Sequence, residues 1–327
     1  MPSDLPETPV VSHADQMVPS DGQRPSRLRR FRDSDLWWSF THKPSAMISF
    51  AVLLLIVVAA FSAPLYVPQN PYDPGQLSLM NAQLPPIWQD GGAAPFLLGT
   101  DTQGRDILST ILYGSRISIV IGIAAVALSL FIGVGLGLIA GYAGGFIEGA
   151  LMRFGDVLLS IPTILIAILV SAVARGALPP AWAEIGAAMV LVFAITLSNW
   201  VQYARIVRAQ TNVEKRREYV QAARLLKVPA HRIMFRHILP NTLTPVLVAA
   251  TLSFGLAILT EATLSFLGIG MPPSQPSLGT LIRLGNDYLF SGLWWIVIFP
   301  VVQLSLLVVS VNVLGDWLRD VLNPKLR

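Results

Sequence analysis

The sequence predicts an all-α polytopic membrane protein with six transmembrane helices, and three observations carry that prediction. Only 13% of the 327 residues are charged while 53% are hydrophobic, about half the charge needed to coat a soluble domain. Six runs contain no Asp, Glu, Lys or Arg: Pro44 to Tyr72, Ile117 to Ile147, Val157 to Ala174, Ile185 to Ala204, Ile238 to Thr260 and Tyr288 to Gly315. Each is near or above the roughly 20 apolar residues that cross about 30 Å of hydrocarbon. Backbone groups in lipid must be paired within their own element, and these runs are too long for barrel strands.

Residues 1–35 read as a disordered basic tail: polar, rich in Pro, Ser and Asp, with Arg24, Arg27, Arg29, Arg30 and Arg32 clustered near its end. The membrane domain occupies 36–327. Leu36, Trp37, Trp38 and Phe40 stand where an interfacial aromatic anchor belongs. The polar leader is too long for a signal peptide and the apolar run reaches span length, so the first run is read as an uncleaved anchor. The six spans are expected near 46–67, 117–141, 154–174, 185–204, 243–267 and 293–315. Pro162 should kink the third. Gly133, Gly137 and Gly141 make one stripe along the second, the spacing that lets helix backbones approach closely. Packing within the chain is favoured over a subunit contact for that stripe.

Orientation follows from Lys and Arg counts. The tail to Lys43 holds six, the stretch from Tyr66 to Tyr113 one, the segment from Arg205 to Arg236 nine, the loop from Gly270 to Gly292 one, and the tail after Asp316 three. With six spans the rich segments share one side, which is then the cytoplasm.

The chain has no cysteine and four histidines, none in an H-x-x-x-H pair. Disulfides, Cys-ligated clusters and a metal site are not indicated, and no catalytic constellation is visible. The basic balance reflects membrane orientation rather than nucleic-acid binding. Gly99 to Arg105 spells G-x-x-x-x-G-R, but a phosphate-binding loop needs Lys followed by Ser or Thr, and Asp106 follows here. No nucleotide site is therefore read there. A structural role suits the segment better, with Asp101, Arg105 and Asp106 pairing locally to fix the lead into the second span.

The loop at 205–241 repays close reading. Tyr219, Ala222, Ala223 and Leu226 recur at helical spacing, with Arg217, Gln221 and Arg224 on the other face. Pro229 should end that helix, and a second short helix near 230–238 should close at Pro240. On physics alone a docking protrusion and a basic loop drawn to anionic lipid weigh evenly. Glu261 lies within or at the end of the fifth span, where an ionisable group is costly. It could line a substrate path or partner a donor on a neighbouring helix, and the second is favoured. Asn199, Gln202, Asn286 and Asp287 are weaker path candidates.

Three motifs carry a resemblance. Gln221-Ala222-Ala223, then Lys227, then His237-Ile238-Leu239-Pro240 resembles the EAA loop of ABC importer permeases, with Gln221 in place of Glu, Lys227 of Gly and His237 of Ile. Leu98-Gly99-Thr100-Asp101-Thr102-Gln103-Gly104-Arg105-Asp106 resembles the LGTDxxGRD signature of the dipeptide, oligopeptide and nickel branch. Glu261 to Gly268, with Pro272, Pro276, Ser277, Leu278 and Gly279, resembles the same branch's EAxLSFLG…PxPSxGT region. The resemblance covers roughly 36–327. It implies the type I ABC importer permease fold and import of dipeptides or short oligopeptides across a bacterial cytoplasmic membrane, with nickel or another small solute as the alternative. Implied partners are a sister permease, two ATPase subunits, an extracytoplasmic binding protein and lipid; no cofactor or nucleic acid is implied. On this resemblance Tyr219, Gln221, Ala222, Ala223, Arg224, Lys227, Leu239 and Pro240 form the ATPase-coupling segment. Gly99, Thr100, Asp101, Gly104, Arg105, Asp106 and Glu261 are signature residues.

Overall fold

The computed structural model describes residues 35–177 and 183–322. Apart from Asp35, the predicted tail at 1–35 lies outside the described residues. A short helix α1 (Asp35–Thr41) belongs to a separate unit ending at His42, within which the Trp38 and His42 rings stack 4.3 Å apart. Everything from Lys43 onward forms the second unit.

In that unit α2 (Pro44–Ser62) starts on a proline, whose missing N–H costs nothing in a first turn. A non-repetitive stretch then leads to α3 (Ile107–Ala143), α4 (Gly145–Ser160), α5 (Thr163–Ala177), α6 (Ala183–Glu214) and the short α7 (Glu218–Leu225). Next come α8 (Ala230–Phe266), α9 (Leu278–Asn286) and α10 (Trp295–Leu322). Among the described residues five helices are long and apolar enough to cross a membrane, and a sixth span results if the bent pair α4–α5 counts as one. At 37 residues α3 runs roughly 55 Å and so reaches well beyond a hydrocarbon core.

Two predicted details are corrected. In place of one kinked helix over 154–174 there is a bent pair of helices, which begins at Gly145 and breaks by 92° at Ile161 and Pro162. Ile161 is extended, as the residue before proline prefers, so the helix ends and a new one starts. The second short helix predicted near 230–238 does not close at Pro240. A π-helical turn at Ile233–Ile238 widens the backbone ahead of Pro240, whose ring would otherwise strike the carbonyl four residues back, and α8 continues.

The glycine stripe packs within the chain. A Cβ on Gly133 would meet the Trp200 carbonyl at 2.5 Å, one on Gly137 the Ala204 carbonyl at 2.5 Å, and one on Gly141 the Thr211 Cβ at 2.6 Å. The stripe thus seats α6 directly on α3. The larger core gathers Leu138, Leu191, Ile195, Tyr203 and Val207 with Val220, Ile233 and Val246. A second core joins Ile56, Ile111, Ile258, Leu278, Trp295 and Leu307. Outward, Leu55, Phe131, Leu169 and Val309 are mostly exposed, a surface suited to hydrocarbon.

Candidate functional site

The bundle has two differently built ends. At one, the lead into α3 is a buried polar knot. Asp101 accepts from the backbone N–H of Gln103 (2.8 Å) and Arg105 (2.9 Å), and its second oxygen from Arg105 Nε (2.6 Å). Arg105 also donates to the Pro273 carbonyl at 3.0 Å, tying the knot to the segment after α8. Both side chains are less than a tenth exposed. Asp106 caps α3 by accepting from Ser109 N–H (2.8 Å), and Trp295 at the head of α10 donates to the Thr100 carbonyl (3.1 Å). The expected local pairing of Asp101 and Arg105, with Asp106 at the helix start, matches this geometry. Gly99 and Gly104 have positive φ, and a Cβ would meet the Leu84 carbonyl at 2.5 Å or the Ser78 carbonyl at 2.1 Å. The glycines serve a packed turn and leave no open cradle for phosphate.

Burial pushes the Asp106 carboxyl above its ordinary range, against bonds from Ser109 and Leu108 that lower it, and Oδ1 is buried with no partner among the described residues. Glu261, fully buried in α8, accepts from Ser118 of α3 (2.7 Å) and from Ser265 one turn on (2.7 Å). Ser118 Oγ in turn accepts from Leu278 N–H at the start of α9 (3.3 Å). This carboxyl joins three helices through hydroxyls, the partnership with a neighbouring helix that sequence reading favoured over a path role.

At the opposite end, the connection from α6 to α8 is a braced protrusion. Tyr219 donates to Glu214 at the end of α6 and accepts from Asn241 Nδ2 of α8 (3.0 Å). Burial and the neighbouring Glu214 carboxylate push its phenol upward, so it remains a donor. The Arg224 guanidinium lies 5.1 Å from the centroid of the Tyr142 ring of α3. Val220 and Ala223 are buried in the larger core. Ala223 therefore does not project beside Ala222. The outer face carries Ala222, Gln221 and Arg224, with Leu225 85% and Leu226 80% exposed. Lys227 takes the position where the resembling family has glycine, with φ of +54°. Its N–H donates to the Arg224 carbonyl (2.9 Å) and that of Val228 to Ala223 (3.0 Å), a complete Schellman turn. Leu239 is half-buried and Pro240 exposed in the first turn after the π segment. Arg208 of α6 pairs with Glu148 of α4 at 3.0 Å, and Lys215 Nζ donates to the Gly141 carbonyl at 2.7 Å, so α3, α4 and α6 are tied together beside the protrusion.

Sequence reading missed a cleft of about 880 Å³ between α3 and α6, lined by Ile117, Val192 and Phe193, with Tyr72, Tyr113, Arg116 and Gln275 as polar groups. The available signal was Arg116 itself, the charge bordering the longest charge-free run. Asn199, Gln202, Asn286 and Asp287 are not among its described lining residues. Asp287 instead borders a 210 Å³ cavity beside Asp101 and Arg105.

Comparison with known proteins agrees with this architecture. Residues 133–327 match the family of binding-protein-dependent transport system inner membrane components. Residues 34–86 match the N-terminal transmembrane domain of oligopeptide transport permease C. The di/tripeptide transport system permease protein DppC of Pseudomonas aeruginosa is 39% identical over 93% of this chain and 94% of its own. DppC of Escherichia coli is 39% identical over 90% and 93%, and the oligopeptide permease OppC of Bacillus subtilis 37% over 90% of each. A chain of the MetNI methionine ABC transporter, inward facing, shares the fold at a TM-score of 0.50 and 20% identity, over 65% of this chain and 96% of that one. With its helices, its polar knot and its braced protrusion in the type I ABC importer permease arrangement, the chain belongs to the binding-protein-dependent transport system inner membrane component family.

Proposed function

We propose that this permease is the transmembrane subunit of an ATP-driven importer of dipeptides or short oligopeptides, paired with a sister permease and served by an extracytoplasmic binding protein. Peptide import by relatives of 37–39% identity over nearly their whole length supports the substrate class. Two separate ATPase subunits dock on the protrusion. The basic end faces the cytoplasm, as the concentration of Lys and Arg in 205–236 favours, and the termini lie on that side.

One observation carries the coupling role: the segment from Tyr219 to Pro240 is braced beneath and bare above. Leu225 and Leu226 expose an apolar edge at 85% and 80%. Behind it Val220, Ala223 and Ile233 are locked in the core. Tyr219 meanwhile ties α6 to α8. A push on such an edge displaces α6 and α8 rather than bending the loop, which is what a two-state coupling element requires. The test is ATP-driven uptake of a labelled dipeptide by the importer reconstituted with its partners in vesicles. Uptake that ATP drives, and that Ala222→Trp abolishes while the permease remains folded, is expected. Uptake that persists in Ala222→Trp, or that follows a proton gradient without ATP, would contradict the proposal.

A further inference from the structure

The cleft between α3 and α6 holds one cation, Arg116, about two and a half helical turns inside the start of α3. Its side chain is exposed and stands one residue before the charge-free run that starts at Ile117, where an anion in the cleft can pair with it. Among the described residues nothing negative does. No ion pair and no hydrogen bond involves Arg116, whose guanidinium lies 5.5 Å from the centroid of the Phe61 ring. That ring steadies the cation without using its five N–H donors, which make no hydrogen bond among the described residues. Tyr72, edge-on to Tyr113 at 5.1 Å, donates to the Pro276 carbonyl at 3.4 Å, and burial raises its phenol, so it supplies no anion. No carboxylate is among the described lining residues of the cleft. The site is thus built for one end of a zwitterion: an anion on a planar fork, beside apolar walls of Ile117, Val192, Phe193 and Met271 that select no particular side chain. Its volume suits a small ligand.

We infer that Arg116 receives the C-terminal carboxylate of the peptide in transit, so that this subunit takes the acidic end of the substrate and leaves the ammonium end to the remainder of the path. The inference rests on the peptide-import reading given above. A second source of anion is a lipid phosphate, and a third is a carboxylate of the sister permease.

The importer is reconstituted with its partners in vesicles of phosphatidylcholine alone and of phosphatidylcholine with phosphatidylglycerol, with the binding protein saturating. Uptake of a dipeptide and of its C-terminally amidated form is measured for the unaltered chain, Arg116→Gln and Arg116→Lys. In both lipids Arg116→Gln should slow uptake of the free-acid dipeptide about tenfold or more, the scale of a hydrogen bond to a charged group. The amidated peptide should keep its own rate, Arg116→Lys should recover part of the loss, and ATP turnover without peptide should not change. An equal loss for both peptides, a loss confined to vesicles with phosphatidylglycerol, or reduced recovery of the sister permease overturns the assignment. So does normal uptake by Arg116→Gln. Absence of dipeptide uptake by the unaltered importer overturns the peptide reading, and the Arg116 assignment falls with it.

Discussion

Lys227 stands at the end of α7 in the place that Gly268 holds at the end of α8. Both close a Schellman turn, with φ of +54° and +82°. The paired bonds run from Lys227 and Val228 to Arg224 and Ala223, and from Gly268 and Ile269 to Ser265 and Leu264. The left-handed conformation costs a residue with a Cβ about 1–2 kcal/mol, and glycine gives back roughly 0.5–1 kcal/mol through its freer unfolded chain. Lys227→Gly should therefore raise stability by about 1 kcal/mol, read as an upward shift of the thermal midpoint of the purified permease. Lys227→Ala should change it by no more than a few tenths. A destabilised Lys227→Gly would show that the Lys227 side chain, not the turn, is what the site needs.

The Asp101–Arg105 pair at the other end is buried, and Arg105 satisfies two acceptors with one planar group. Removing one member of a buried pair typically costs about 3–5 kcal/mol. Arg105→Gln should be destabilised on that scale, and Arg105→Lys should not rescue it, because an ammonium cannot span Asp101 and the Pro273 carbonyl as the fork does. The double variant Asp101→Asn with Arg105→Gln should lose less than the sum of the single losses, measured by unfolding of the purified chain. Strict additivity would mean the two side chains act independently.

Much of this was legible in the sequence because the controlling signals are local. Absence of charge defined the spans, and the spacing of Asp101, Arg105 and Asp106 fits one turn into a helix start. What was not legible depends on neighbours. Helical spacing put Ala223 with Ala222, yet only packing into the larger core decides which alanine is inside. The exposure of Leu225 and Leu226 was not legible either, since a docking edge and a core face have the same composition. Pro162 foretold a disruption but not a 92° break, and Pro240 foretold an end where a π turn instead lets α8 continue.

Asp106 gives a pH signature. Its folded carboxyl titrates above the ordinary 3.8 because it is buried, so the folded chain prefers the protonated form. That contribution to stability is complete below the ordinary value and is lost as pH rises through the raised one. Relative to Asp106→Asn, which keeps a capping oxygen for Ser109 but cannot titrate, the unaltered chain should gain stability as pH falls from neutral through the raised value. A difference that stays flat or runs the other way would contradict the burial argument.

Glu261 separates a structural from a path role. Glu261→Gln retains an acceptor for Ser118 or Ser265 and should leave uptake intact. Glu261→Ala strands both hydroxyls and should cost about 2 kcal/mol. Loss of uptake in a fully stable Glu261→Gln variant would make the carboxylate a participant in the path.

The central claim, that the bare edge of α7 is pushed by a separate ATPase, can be tested directly because the chain contains no cysteine. A single cysteine at Leu226→Cys, beside a cysteine in the groove of the ATPase partner, should cross-link in the membrane with a yield that changes on adding ATP. Ala223→Cys, at a position only 7% exposed, should not cross-link. Cross-linking of Leu226→Cys to the ATPase with that nucleotide dependence is the expected result. An accessible Leu226→Cys that never reaches the ATPase, in an importer that still takes up peptide, would contradict the account.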